Sequence, residues 1–341
     1  MADMLLLERL CRANGISGDE GAVRNIILDE IISYADEINI DPLGNLLLFK
    51  KGANTPANRL MISAHMDEVG FIVTHICDDG LLKIETVGGI NNSAVFAKQV
   101  LVGKNAIPGS VCSAPIHLVS DEQCKKYPPC SELTVDIGAA DKEEALKYVR
   151  PGDSVVFDSV YENKNGRIIG KALDDRFGCL VLIGMIKSDL PYDMHFAFCV
   201  QEEVGLRGST AAAYTIAPDC AIVIEATTAA DIPGSENEQK VCCVGGGAVV
   251  SFMDRSTIYD RKLYDLAFSL AKENDIPVQT KSVIAGGNDA GAIHKSRGGV
   301  RTAAVSVPCR YLHSSSGLIS TDDANAVEAL VRRLAEAVAA G

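Results

Sequence analysis

His65, Asp174, Glu203, Glu225 and His313 are residue types that can hold two divalent metals. They fall in AHMDEVGF, KALDDRFG, QEEVGLRG, VIEATTAADIPG and RYLHSS. A two-metal hydrolytic site needs one carboxylate free to bind both ions. It also needs a histidine and an acid for each ion, and a base that is not a ligand. Asp174 is a candidate bridge. His65 with Glu225 can complete one metal, and Glu203 with His313 the other, which leaves Glu202 as the base. Asp67, two residues after His65, can lie on the same face and accept the imidazole's second N–H, fixing the tautomer. Two ions held in this way acidify the water between them and polarise the carbonyl that water attacks.

Each piece has an ordinary structural reading when taken alone. A His-x-Asp is usually a surface or core hydrogen bond. An Asp-Asp pair opening a helix is usually an N-cap. A Glu-Glu pair is usually a solvated face. His75, His117, His195 and His294 are assigned to structure. The joint arrangement is what points to a metal hydrolase.

The elements that must position these residues follow from hydrophobic periodicity. MADMLLLERL reads as a helix, and Ser17 with Glu20 as a capping box opening a second one. Val23, Ile26, Ile27 and Ile31 then recur on one face of that second helix. INID and NLLLFK form a hairpin, and RLMISAH is a short buried strand ending at His65. MHFAFCV leads to Glu202, CAIVIEA to Glu225, and VRTAAVSVP is another buried strand. TIYDRKLYDLAFSLAKEN and the segment from Thr321 are helices, the last with Ala326, Leu330, Leu334 and Val338 on one face. The alternation implies an α/β fold, a mixed sheet covered by helices on both faces. Metal-binding residues at or near strand ends suit such a fold, which presents its chemistry there. Gly205 and Gly208 permit the chain to turn directly after the Glu202–Glu203 pair.

Between residues 70 and 167 the pattern changes. FIVTHI, LLKIETV, QVLVG, AIPGSVCS and DSVVF are short strands with turn signals, interrupted by one short helix near residues 141–149. This reads as a small β-rich domain, residues 70–167, inserted into a catalytic α/β domain of residues 1–69 and 168–341.

The chain has 341 residues, 47% of them hydrophobic, which allows a large core. A net charge of −13 argues against binding nucleic acid, because a phosphate backbone needs a basic face. The 11 cysteines are odd in number, scattered and without a C-x-x-C pair, as expected of buried thiols in a reducing compartment. No apolar segment approaches the length of a membrane span, and the N-terminus lacks the basic start of a signal peptide. The expectation is a cytoplasmic protein with no membrane partner.

The segments AHMDEVGF, ETVGGI, DIGA, GKALDDR, QEEVGLRG, DIPG, GGNDAGAIH and PCRYLHS occur in order across most of the chain. Together they resemble the co-catalytic metallo-aminopeptidases that include glutamyl aminopeptidase, the deblocking aminopeptidases and the tetrahedral (TET) aminopeptidases. The resemblance implies that His65 and Asp67 are the family's histidine ligand and paired acid. It likewise implies that Asp174 is the bridge, Glu202 and Glu203 the base and ligand, and His313 the last ligand. It implies a zinc-exopeptidase-like fold, two divalent ions per subunit with zinc or cobalt expected, and short peptides as substrates. The inserted segment resembles the family's dimerisation domain, which implies a dimer-based homo-oligomer, often a tetrahedral dodecamer. One position departs. The family usually has aspartate where this chain has Glu225, whose carboxylate reaches about one methylene further. Asp231 corresponds instead to the family's D-x-P-G turn.

Three other readings remain open on the sequence. The same metal core would serve N-acyl deacylation. Paired carboxylates also serve glycoside hydrolysis, although histidine ligands speak against it. A scaffold protein that merely keeps the fold is the non-enzymatic reading.

Overall fold

The computed structural model describes residues 3–112, 114–120 and 127–341. The chain opens on two helices, α1 (Met4–Arg12) and α2 (Gly21–Ile31). Asp3 caps α1, its carboxylate accepting from the backbone N–H groups of Leu5 and Leu6. The start of α2 corrects the sequence expectation, because the Ser17–Glu20 capping box does not form. Ser17 instead donates to the Asp67 carboxylate at 2.6 Å, and Glu20 accepts from the N–H groups of Gly18 and Gln201. The helix begins at Gly21 with Glu20 at its N-cap position, so Ser17 lies outside the first turn and its hydroxyl is free to donate to the carboxylate. Of the predicted apolar face, Val23, Ile27 and Ile31 are buried and Ile26 is half-buried.

Among the described residues, eight strands form one mixed sheet. Their spatial order is β1 (Glu37–Ile40), β2 (Leu46–Lys50), β12 (Met194–Cys199), β3 (Leu60–His65), β13 (Cys220–Thr228), β16 (Arg301–Cys309), β14 (Ala248–Val250) and β15 (Val278–Thr280). The central four, β12, β3, β13 and β16, run parallel. All six residues of β3 are buried. Strands covered on both faces lose the polar alternation of a half-exposed sheet.

The period of two still sorts the side chains between two cores. Leu60, Ile62, Phe196, Phe198, Ile222 and Ile224 point into the larger one. There they meet α4 (Leu173–Ile186), α6 (Arg261–Glu273) and α8 (Thr321–Ala340) as well as α1 and α2. Met61, Ala197, Ala221, Val223 and Ala304 point the other way, onto α5 (Arg207–Ile216) and α7 (Ala290–Ile293). Ala326, Leu330, Leu334 and Val338 of α8 are all buried, as their spacing predicts.

The β-rich stretch forms a closed barrel in the order β4 (Gly70–Ile76), β5 (Leu82–Val87), β8 (Thr134–Asp136), β7 (Ile107–Cys112), β6 (Gln99–Val102) and β9 (Ser154–Phe157). It carries the short helix α3 (Lys142–Ala145) and a core of its own around Phe71, Ile84, Val135 and Phe157. Closure leaves no free sheet edge. The chain then forms the hairpin β10 (Glu162–Lys164) and β11 (Arg167–Gly170), which pairs with β17 (Gly317–Ser320). All the cysteines among the described residues are free. No helix among those residues is long and apolar enough to cross a membrane.

Candidate active site

The predicted site residues converge at the C-terminal ends of the parallel strands, where an open α/β sheet offers a crevice. His65 is the last residue of β3. Its Nδ1 lies 3.0 Å from the carbonyl of Asp67, with the Asp67 carboxylate further off at 3.4 Å. A carbonyl can only accept, so Nδ1 carries a proton and Nε2 faces the acids. Nε2 is 3.5 Å from Asp174 Oδ1 and 3.7 Å from Glu225 Oε2. His313 lies in the turn after β16 and repeats the arrangement. Its Nδ1 is 2.8 Å from the carbonyl of Gly89, and its Nε2 is 3.2 Å from Glu203 Oε1 and 3.3 Å from Asp174 Oδ2. Two triads result, His65–Asp174–Glu225 and Asp174–Glu203–His313. The ligand atoms within each triad lie within 4.8 Å of one another. The triads share Asp174, which turns one oxygen to each histidine.

Local structure explains how Asp174 reaches that place. Asp174 and Asp175 are non-helical at the head of α4, and the peptide bond between them is cis. The Asp175 carboxylate turns inward and accepts from the N–H of Gly178 at 3.0 Å and of His65 at 3.3 Å. The ordinary reading of an Asp-Asp pair as a cap therefore applies to Asp175. Asp174 is left free to face the histidines.

The Glu202–Glu203 pair is held by Asp67. Its two carboxylate oxygens accept from the N–H of Glu202 at 3.0 Å and of Glu203 at 3.1 Å, while Ser17 donates from a third side. The chain then turns through Gly205, whose φ of +114° suits glycine. The Glu202 carboxylate lies in a further cluster with His65 and Glu203. His75, His117, His195 and His294 join none of these clusters.

The charges are unbalanced. Burial pushes Glu202, Glu203 and Glu225 upward from the usual carboxylate range, against the pull of nearby histidines. Burial acts the same way on Asp174, but the His313 and His65 imidazoles outweigh it and hold that carboxyl down. Burial would lower His313, yet hydrogen bonds to Asp174 and Glu203 raise it to about 11. Asp174 Oδ1 and Glu225 Oε1 are buried without a hydrogen-bond partner. A crowd of acids holding protons on two imidazoles, with orphaned oxygens aimed among them, fits divalent cations. The ions would take the place of those protons.

Sequence reasoning missed several supports. Arg176 is fully buried and donates to the carbonyls of Met66, Leu10, Ala13 and Gly15 and to Glu68. Lys171 donates to both oxygens of Glu68, at 2.6 and 2.8 Å. Adjacent charges in DEVG and GKALDDR were the available signal, but nothing in them identifies partners so far apart in sequence. Asp231 forms a two-bond fork with Arg310, both bonds 2.7 Å, and accepts from the N–H of Val244. Its carboxylate is thus committed elsewhere, and Glu225 is the acid that stands beside His65.

The family model described as M42 glutamyl aminopeptidase matches residues 44–330. A protein of Acetivibrio thermocellus that bears an aminopeptidase name is 39% identical over 332 residues, covering 96% of this chain and 97% of its own length. The crystal structure of a TET aminopeptidase from a marine sediment Thaumarchaeota archaeon superposes with a TM-score of 0.93 at 34% identity, covering 97% of this chain and 95% of that one. The TET1 peptidase of Pyrococcus horikoshii, described as assembling into a tetrahedron or a large octahedral shell, gives a TM-score of 0.85 at 35% identity, with 99% of both chains covered. The match runs through both the sheet that carries the acids and histidines and the barrel inserted into it, so this chain belongs to the M42 glutamyl aminopeptidase family and is a peptide hydrolase.

Proposed function

We propose that this chain is a two-metal aminopeptidase that removes N-terminal residues from short peptides. The observation that carries the reading is the pair of histidine–carboxylate triads sharing Asp174. His65 and Glu225 would hold one ion, Glu203 and His313 the other, and Asp174 both. Zinc or cobalt suits a set of imidazole and carboxylate donors. Bound there, the ions would supply an acidified water and polarise the scissile carbonyl. Glu202 takes the proton of the attacking water and later passes it to the leaving amine. Asp67 keeps Glu202 and Glu203 in place through their backbone N–H groups and orients the His65 ring. Beside Asp174, Glu203 and His313 lies a pocket whose walls include Phe157 from the barrel and Tyr311 from the turn after β16.

Paired chromogenic substrates test this reading, one set with a free α-amine and one N-acetylated, assayed with added zinc or cobalt. Free-amine substrates should be cleaved, and a chelator should abolish the cleavage. Preferential hydrolysis of the blocked set would establish the deacylase reading instead. Chelator-resistant cleavage would exclude a metal mechanism.

Residues 70–167 are proposed as an inserted domain that mediates self-association, by similarity to the assembling TET1 peptidase. Light scattering should then give a particle mass of several subunits. A monomer across the micromolar range would overturn this assignment.

A further inference from the structure

The two triads are not supported alike. His65 closes a central strand and is almost fully buried, with its ring held by Asp67 two residues on. Glu225 lies within β13, flanked by strands on both sides. His313 sits in a turn, at a φ of +56°, with its side chain 30% exposed. Opposite its two acids, the ring's hydrogen-bond partner is the carbonyl of Gly89. Gly89 belongs to the loop after β5, a strand of the inserted barrel. The preceding residue, Gly88, adopts a φ of +85°, and a Cβ there would come within 2.8 Å of Val69 Cγ1 and 3.2 Å of Glu203 Cβ. Consecutive residues of this loop thus face one triad, Gly89 through its hydrogen bond with the histidine and Gly88 through a backbone that leaves little room for a Cβ beside the glutamate.

We infer that Gly88 and Gly89 are positioning residues for the Asp174–Glu203–His313 metal site, so that the inserted barrel completes one of the two sites. The inference rests on the reading of the triads as metal sites. The Gly89 carbonyl fixes which ring nitrogen of His313 is protonated and turns Nε2 toward Glu203 and Asp174. Gly88 lets the loop approach closely enough to do so, because it alone tolerates both the left-handed φ and the contact with Glu203. The other triad is built without this loop. Disturbing the loop should therefore weaken one metal site and spare the other.

Calorimetric titration of the metal-free full-length protein with zinc tests this. The parent should bind two equivalents. Gly88→Ala should bind one equivalent as the parent does and the other roughly 10–100-fold more weakly, the usual effect of losing a residue that orients a ligand. Two tight equivalents in Gly88→Ala, or equal weakening of both in a protein that still unfolds cooperatively, would overturn the inference. Fewer than two equivalents in the parent would sink the two-metal reading itself. Should Gly88→Ala fail to fold, nitrogen NMR of the zinc-loaded parent decides the matter. His313 bound through Nε2 with Nδ1 protonated is expected, and binding through Nδ1 would refute it.

Discussion

Replacing Glu202 with glutamine should leave metal binding intact and lower kcat by roughly 10²–10⁴-fold, the usual cost of losing a general base. Glu202 belongs to neither of the triads that share Asp174, yet its carboxylate lies among His65 and Glu203. Its backbone N–H is pinned by Asp67, so the side chain has a defined direction. Burial, together with the charges of Asp289, Glu203 and Asp174, pushes its carboxyl well above the usual range, against the pull of His65. A base must reach the water that the neighbouring groups would hold, and the Glu202 carboxylate stands in the same cluster as His65 and Glu203. Glutamine keeps the volume and one oxygen but cannot take the proton. Metal content by elemental analysis, measured beside kcat, separates this effect from loss of an ion. Near-normal kcat at full metal occupancy would show that the base lies elsewhere.

Glu225→Ala should empty the site at His65 while the site at Glu203 and His313 still fills. The Glu225 carboxylate is buried, one oxygen has no partner and the other is 3.7 Å from His65 Nε2. The acid six positions on, Asp231, cannot substitute for it while forked to Arg310. Activity should therefore fall to background, because a water held by one ion lacks the second charge that acidifies it. Glu225→Asp shortens the side chain by one methylene and should change the affinity or metal preference of that site alone, since reach and geometry set both. Calorimetric zinc titrations of the three proteins decide the point. If Glu225→Ala bound two equivalents as tightly as the parent, Glu225 would not be a ligand. Glu225→Ala is expected to empty the site at His65 and Gly88→Ala to weaken the other, so together they identify which binding step belongs to which triad.

The sequence by itself determined the elements and the residue types of the site. Apolar runs in RLMISAH, MHFAFCV, CAIVIEA and VRTAAVSVP are buried strands because consecutive apolar side chains need cover on both faces, and the helices between them provide it. The change to short alternating strands marked the barrel for the converse reason, one face buried and one exposed. The segments around His65, Asp174, Glu202 and His313 carried the family resemblance. Tertiary structure decided the pairings. Ser17 reads as a cap from its neighbours, yet its partner is Asp67, which the fold brings against it. Asp174 and Asp175 are indistinguishable as letters, and only the position of β3 makes one a cap and the other the shared acid. The support for His313 comes from a backbone carbonyl, which every residue possesses and no sequence pattern marks. Periodicity, capping and turn preference act within a few residues and are written locally. Which distant groups meet depends on strand order and on the docking of the barrel, and these exist only once the chain has packed.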